Sequence, residues 1–326
     1  MKTEILKMLR SRTGYISGQE LCDTLGVSRT AVWKVINQLK EEGYQIEAVR
    51  NKGYHLLEAP DILNAEEIES LMGTQWAGRQ IAYFPVLDST NIQAKRMADE
   101  GYVHGTLIVA DCQNAGKGRR GKNWSSPSGT GIWMSLLLKP EMEPNKAPML
   151  TLVMAYSVAC AIREKTKLDV KIKWPNDLII DKKKICGILT EMNAEVDYVH
   201  HVVIGVGINV NTEEFPEELE DLATSLRLEK GGLIRRAELI ASIMEQFEVY
   251  YEQFIKTGSI AFLQTNYNQL LVNQDREVRV LGVHHSYEGI ALGINETGEL
   301  LVRTQDGTIQ NVFAGEVSVR GIYGYV

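Results

Sequence analysis

Four cations and three glycines share seven consecutive residues, Gly116-Lys117-Gly118-Arg119-Arg120-Gly121-Lys122. Such a segment cannot bury itself, and ordering it gains little until an anion neutralises its charge. Glycine lets backbone N–H groups approach phosphate or carboxylate oxygens closely, and arginine offers forked donors to the same atoms. The chemistry read from it is closure over a phosphate-bearing ligand, with a solvated loop or a second nucleic-acid patch as the plainer alternative. The stretch nearly spells the P-loop pattern G-x-x-x-x-G-K, but Asn123 stands where a Ser or Thr hydroxyl must meet Mg2+. Asn123–Pro127 also opens no helix whose dipole could face phosphate, so the P-loop reading fails twice.

Three other polar groupings could do chemistry. Asp88-Ser89-Thr90-Asn91 precedes a helical pattern; it reads either as an N-cap or as two hydroxyls and an amide offered to a small polar ligand. Lys173-Trp174-Pro175-Asn176-Asp177-Leu178 is more polar than a turn needing only Pro-Asn. Asp177 there could hold a cation or receive a proton, or simply close an Asx-turn. Lys184-Ile185-Cys186-Gly187 opens a strand, where Gly187 permits close approach of a ligand. Cys186 has no nearby His and reads as core. His55, His104, His200, His201, His284 and His285 show no metal-ligand spacing, and no metal site is expected.

These groups need a frame. Short apolar runs at Ile81–Phe84, Leu107–Ala110, Ile132–Leu138, Ile179–Ile180, Ile185–Leu189 and Val202–Ile208 read as strands, interleaved with helices near 91–100, 147–165 and 236–257. Tight turns such as Asp181-Lys182-Lys183 favour a mixed or largely antiparallel sheet with helices packed on it, an α+β class. From about Val272, alternating strands with turns at 273–275, 295–298 and 305–307 predict a small separate β-barrel. The run Met149–Ile162 is too short to span a bilayer and reads as a buried helix; no membrane role is expected.

The N-terminus is chemically distinct. Residues 1–57 hold nine Lys/Arg against six Asp/Glu, within a 326-residue chain of formal net charge −7. A small basic module on an acidic body points to a polyanion partner at that end alone. Lys2–Arg10 predicts one helix, the capping box Ser17-Gly18-Gln19-Glu20 opens a second, and Ser28 caps a third over Arg29–Glu42. Tyr44–Val49 and Tyr54–Leu57 flank a basic hairpin tip, Arg50–Gly53. That order is a winged helix-turn-helix. Gly18, Gln19, Ser28, Arg29, Thr30, Trp33, Lys34, Asn37, Arg50 and Lys52 are its candidate DNA-binding residues, the alternative being a helical adaptor with a merely solvated basic face. Ala59-Pro60-Asp61 reads as a linker. Four dispersed cysteines without a C-x-x-C pair fit a reducing cytoplasm.

Taken jointly, these motifs resemble biotin protein ligases, specifically the bifunctional kind that also represses biotin genes. The resemblance spans the chain: the winged module, Asp88–Asn91, Gln113 ahead of Gly116–Lys122, Lys173–Leu178, Lys184–Gly187, Gly205-Val206-Gly207-Ile208-Asn209-Val210-Asn211 and the C-terminal β-region. Lys117 departs from the arginine common in that loop, keeping the charge but losing the fork. The resemblance implies a winged domain at 1–60, a catalytic domain at 61–270 similar to class II aminoacyl-tRNA synthetases, and an SH3-like β-domain at 271–326. It also implies ATP, Mg2+ and biotin as ligands, with biotinyl-5′-AMP as intermediate and corepressor. The implied partners are a biotin carboxyl carrier protein or other carboxylase acceptor domain, operator DNA, and a second copy of the chain when the adenylate is bound.

Carried onto this sequence, the resemblance places Ser89, Thr90, Asn91, Gln113, Lys117, Gly118, Arg119, Lys184 and Gly187 around biotin. Arg119, Lys122, Trp124, Asn176 and Asn209 fall around the adenylate, and Lys184, Arg119 and Asp177 are the catalytic candidates. Two anions must meet in the activation step, so the cations are demanded by charge. Rival readings are a sensor that no longer acylates, a lipoate ligase of the same fold, and a ligase whose winged domain has no role.

Overall fold

The structure, a computed structural model, describes residues 1–281, 286–314 and 318–321. His284 and His285 lie outside the described residues. Contacts divide the chain into two compact units, Met1–Gly73 with Arg235–Ala241, and Thr74–Ile234 with Ser242–Val326.

In the first unit, α1 (Lys2–Arg10), α2 (Gly18–Leu25) and α3 (Arg29–Glu41) are followed by β1 (Gln45–Val49) and β2 (Gly53–Glu58). The predicted caps form: Ser17 Oγ accepts from Glu20 N at 3.0 Å and Ser28 Oγ from Ala31 N at 3.2 Å. Ile5, Leu6 and Leu9 of α1 meet Leu21 of α2 and Val32, Val35, Ile36 and Leu39 of α3 in one buried cluster. The wing is more than the expected hairpin, because Ile16 and Tyr54 exchange both backbone hydrogen bonds at 2.9 Å. A lone residue between turns carries no periodic signal, which is why this third strand segment was missed.

Helix α4 (Ala65–Leu71) belongs with this unit. Its buried Glu67 accepts from Arg10 Nη2 at 2.5 Å and from the Tyr44 hydroxyl at 2.6 Å. Burial and the neighbouring carboxylate push the Tyr44 hydroxyl far above the ordinary phenol value. Asp61 accepts from Arg236 N and Nε, each at 2.8 Å. The compact unit therefore continues past Ala59-Pro60-Asp61 on buried ion pairs that a turn signal does not reveal.

The second unit is built on seven strands: β3 (Ile81–Leu87), β4 (Thr106–Gln113), β5 (Gly131–Leu138), β6 (Lys171–Lys173), β7 (Asp177–Ile180), β8 (Lys183–Ala194) and β9 (Val199–Asn209). Their order is β3-β4-β5-β9-β8-β7-β6, with β3–β4 parallel and the other neighbours antiparallel. The sheet is mixed, as the short turns required. Helix α5 (Thr90–Asp99) sets Ala94, Met97 and Ala98 on Ile108, Leu137 and Val203. Helix α6 (Ala147–Thr166) meets β8 through a Thr151–Thr190 hydrogen bond of 2.8 Å. Val203 and Thr190 belong to opposite pleats of the paired strands, so α5 and α6 cover opposite faces. The stretch 144–166 is long and apolar enough to cross a membrane by composition, but it is 78% buried within the protein.

Helices α7 (Leu226–Lys230), α8 (Arg236–Thr257) and α9 (Ala261–Leu270) precede the C-terminal sheet. Its strands β10 (Arg276–Leu281), β11 (Ser286–Ile294), β12 (Leu300–Arg303), β13 (Ile309–Val312) and β14 (Ser318–Gly321) pair antiparallel in the order β13-β12-β11-β10-β14.

Candidate active site

The sheet face under α5 carries a row of missing side chains. Gly187 of β8 pairs with Gly207 of β9, so both lie on one face, and the Trp124 indole rests on them. A Cβ at Gly187 would come 2.9 Å from that ring, and one at Gly207 would come 2.6 Å from its Nε1. Glycine is required there because an aromatic ring approaches the backbone directly. A cavity opens beside the ring, lined by α5, β8, β9 and the basic loop.

Most of the predicted ligand residues converge on it. Ser89, Thr90, Asn91, Gln113, Lys117, Gly118, Arg119, Trp124, Asn176, Lys184 and Gly187 all line the cavity. Ser89 occupies the N-cap position of α5 at 2% exposure, yet its side chain makes no capping bond. The plain N-cap reading of Asp88–Asn91 therefore fails. Thr90 N donates to Gln113 Oε1 at 2.8 Å, and Gln113 Nε2 donates to Ser126 Oγ at 2.8 Å. These bonds join the helix start to the strand below and to the segment after the loop.

The basic loop is a hydrogen-bonded turn. Gly118 N donates to Lys122 O at 2.7 Å, and Trp124 N donates to Gly116 O at 2.9 Å. Arg120 and Gly121 both take left-handed backbone angles, at φ 57° and 73°. This reversal turns Arg119 inward, where it donates to Asn176 Oδ1 and to the Ala314 carbonyl, each at 2.7 Å. Burial lowers the Arg119 pKa; the Asp177 charge opposes that and Arg120 adds to it.

At the other side, Lys184 Nζ lies 2.7 Å from Asp177 Oδ1 and 5.1 Å from the Trp124 ring centroid. Asn176 Nδ2 also donates to Asp177 Oδ1, at 3.0 Å. Asp177 thus faces Lys184 and is not among the residues lining the cavity. Two further expected residues are not brought to it. Lys122 is exposed on the far limb of the turn. Asn209 is buried, and its Nδ2 donates to Thr224 O at 3.2 Å. Trp174 is a strut, donating Nε1–H to Gly298 O at 3.0 Å. Burial pushes the Cys186 thiol up, in keeping with a core residue. Among the described residues no three His, Cys, Asp or Glu side chains are grouped to hold a metal ion.

Sequence reading missed Met134, Ile188, Leu189, Gly205, Val206 and Gly207 as lining residues, and Ser135 and Glu191 just behind them. Gly205-x-Gly207 was visible as two bare positions on one face of a strand, a signal of close approach. Ser135 and Glu191 were visible only as lone polar residues in strands.

In the first unit, Gln19, Ser28, Arg29, Thr30, Trp33, Lys34, Arg50 and Lys52 are exposed, while Gly18 and Asn37 are half-buried. Trp33 is 56% exposed on the outer face of α3. Arg29 Nη2 donates to Gln19 Oε1 at 2.8 Å, tying the starts of α2 and α3 together. Lys52 Nζ stands 5.5 Å from the Tyr15 ring centroid at the wing tip.

Comparison with known proteins fits this geometry. The biotin/lipoate A/B protein ligase family model matches residues 83–209, an HTH domain model matches 2–55, and the biotin protein ligase C-terminal domain model matches 275–320. The bifunctional ligase/repressor BirA of Bacillus subtilis (strain 168) is 43% identical over 309 residues, which cover 94% of each chain. The chain belongs to the biotin protein ligase family. A BirA of Escherichia coli (strain K12) is 34% identical over 93% of this ligase-family chain and 92% of its own. The solved biotin protein ligase from Aquifex aeolicus in complex with biotin and ATP has a TM-score of 0.66 and 30% identity, covering 74% of this chain and 99% of that one.

Proposed function

We propose that this chain activates biotin with ATP and transfers it to a lysine of a biotin carboxyl carrier domain, and that its winged unit represses biotin genes in response to the activated intermediate. The observation that carries this reading is one cavity holding Lys184 and Arg119 together with buried Ser89 and Thr90 and half-buried Gln113. Cations suit two reacting anions; uncharged hydroxyls and an amide suit a neutral ureido ring.

In the first step a carboxylate oxygen of biotin attacks the α-phosphorus of ATP, and the bond to pyrophosphate breaks. Lys184 and Arg119 offset the charge that gathers there, with Lys117 available from the loop. The Asp177 carboxylate holds Lys184 Nζ at the end of the cavity, and Asn176 holds Arg119. In the second step an acceptor amine attacks the acyl carbon, AMP leaves with the bonding pair, and the amine gives up a proton. Asp177 is the group we assign to orient the amine or take that proton, a role that requires its pairing with Lys184 to open, since it does not line the cavity. Trp124 closes over the glycine floor and, with the loop, keeps water from the mixed anhydride. Lys122 and Asn209 act on the adenylate only if the segments bearing them move. Magnesium would enter with the nucleotide phosphates.

The winged unit reads an operator through the exposed face of α3 and the wing tip. Pairing of two chains around the bound adenylate would set two such units on a palindrome. The free cysteines Cys22, Cys112, Cys160 and Cys186 support a cytoplasmic setting.

Incubation with labelled biotin, MgATP and a carrier domain tests the enzyme; label transfer by the parent and its severe loss in Lys184→Ala are expected. Absence of biotin-dependent ATP–pyrophosphate exchange in the parent would overturn the reading, and equal exchange with lipoate would redirect it to the sister activity. Operator binding unchanged by biotinyl-adenylate would sink the repressor half.

A further inference from the structure

Behind the cavity wall a chain of hydrogen bonds runs from a surface lysine to the helix start. Lys95 Nζ donates to Glu191 Oε1 at 2.6 Å, and Asn91 Nδ2 donates to Glu191 Oε2 at 2.8 Å. The same Nδ2 reaches the Leu189 carbonyl at 3.2 Å. Both amide hydrogens of Asn91 are thereby committed, and Oδ1 must face the other way, 2.6 Å from Ser135 Oγ. Asn91 fits there only against a bare backbone, since a Cβ at Gly205 would lie 2.1 Å from its Oδ1.

Direction now propagates. A carboxylate only accepts, so it fixes which end of the Asn91 amide points at it. Asn91 Oδ1 then requires the single Ser135 hydroxyl hydrogen. Ser135 Oγ, 2.7 Å from Thr90 Oγ1, has only lone pairs left for that contact, so the Thr90 hydroxyl donates to Ser135. Its alternative acceptor, Gln113 Oε1, is farther at 3.1 Å and already takes Thr90 N. Thr90 Oγ1 therefore turns lone pairs toward the cavity and can only accept from a ligand.

We propose that Glu191 is a positioning residue for head-group recognition: through Asn91 and Ser135 it sets the hydrogen-bond polarity of Thr90, so that this hydroxyl takes an N–H donor of the ligand. The inference rests on the biotin reading above, in which that donor is a ureido N–H. The hydrogen bonds and ion pair of Lys95 and Asn91, with the Lys117 charge, hold the Glu191 carboxyl below its usual range although burial alone raises it. The relay thus keeps its direction at neutral pH.

A glutamine at 191 removes the constraint, because its amide can present N–H to Asn91 and let the whole chain reverse. The test is biotin binding without ATP, by calorimetry, for parent, Glu191→Gln and Glu191→Asp. Weakening by about thirtyfold is expected in Glu191→Gln, with partial recovery in Glu191→Asp and KM for ATP unchanged. The specific readout uses the two biotin analogues in which one ureido N–H is replaced by CH2. One of them should bind the parent far more weakly than biotin does, and that penalty should largely vanish in Glu191→Gln. Should Glu191→Gln fail to fold, Ser135→Ala cuts the relay at its middle and frees the Thr90 hydroxyl hydrogen, and it should reduce the same analogue penalty. An analogue penalty of equal size in parent and variants overturns the proposal while leaving the ligase reading intact. Failure of the parent to bind biotin removes both.

Discussion

At the end of the cavity we assign to the head group, the polar atoms of Thr90, Asn91, Gln113 and Ser135 are bonded to one another and anchored on the Lys95–Glu191 ion pair. At the end we assign to the reaction, Lys184 and Arg119 each keep a short bond to a neighbour, and Lys117 and Lys122 stand in solvent. The difference follows from what each end must hold. A neutral ring can be met by buried uncharged groups, provided every one is satisfied before the ligand comes. Developing charge needs cations, and a cation without its anion costs too much to bury alone. On that assignment, rigid recognition and adjustable electrostatics occupy opposite ends of one site.

The sharpest way to break this division is Lys184→Ala. Biotin-dependent ATP–pyrophosphate exchange should fall by about two to three orders of magnitude, while biotin affinity without ATP falls by about tenfold at most. Equal losses in both would mean that the ends are not separable. Next comes Gly207→Ala, which places a methyl against Trp124 Nε1 in the sheet interior. Biotin affinity should drop by about tenfold, with a change in tryptophan fluorescence, because the ring must shift. Asn176→Ala removes one of two anchors of Arg119 and should slow exchange about fivefold while leaving biotin affinity unchanged in calorimetry.

The smallest effect is on stability against pH. The Glu191 carboxyl is held below its ordinary value in the folded protein, so its contribution is present above the unfolded pKa of about 4.3 and lost as pH falls through the lower folded value. The melting temperature of the parent, measured against Glu191→Gln, should lose its advantage in that acid window. A constant difference from neutral pH downward would show that the ion pair with Lys95 contributes little.

Much of this was open to reading from the chain. Ser17 and Ser28 announce their helices because a cap needs only a hydroxyl and the next three residues. The basic loop and the polar group at 88–91 were recognisable from composition over a few positions, and their joint order identified the family resemblance. What escaped reading lies across the sheet. Glu191 is 100 residues from Asn91, and Ser135 is 45 from Thr90; neither separation leaves a local mark. Asn209 sat in a telling motif, yet its amide serves the Thr224 carbonyl.

Local spacing thus determined the caps, the winged order, the mixed sheet and the concentration of cations at Gly116–Lys122, since these depend on bonds and charges within a few residues. Only the tertiary structure decided that Asp177 pairs with Lys184, that Arg119 turns inward to Asn176, and that α4 joins the first unit through Glu67. Strand register and helix packing select which distant side chains share a face, and that selection is made by the whole buried surface together.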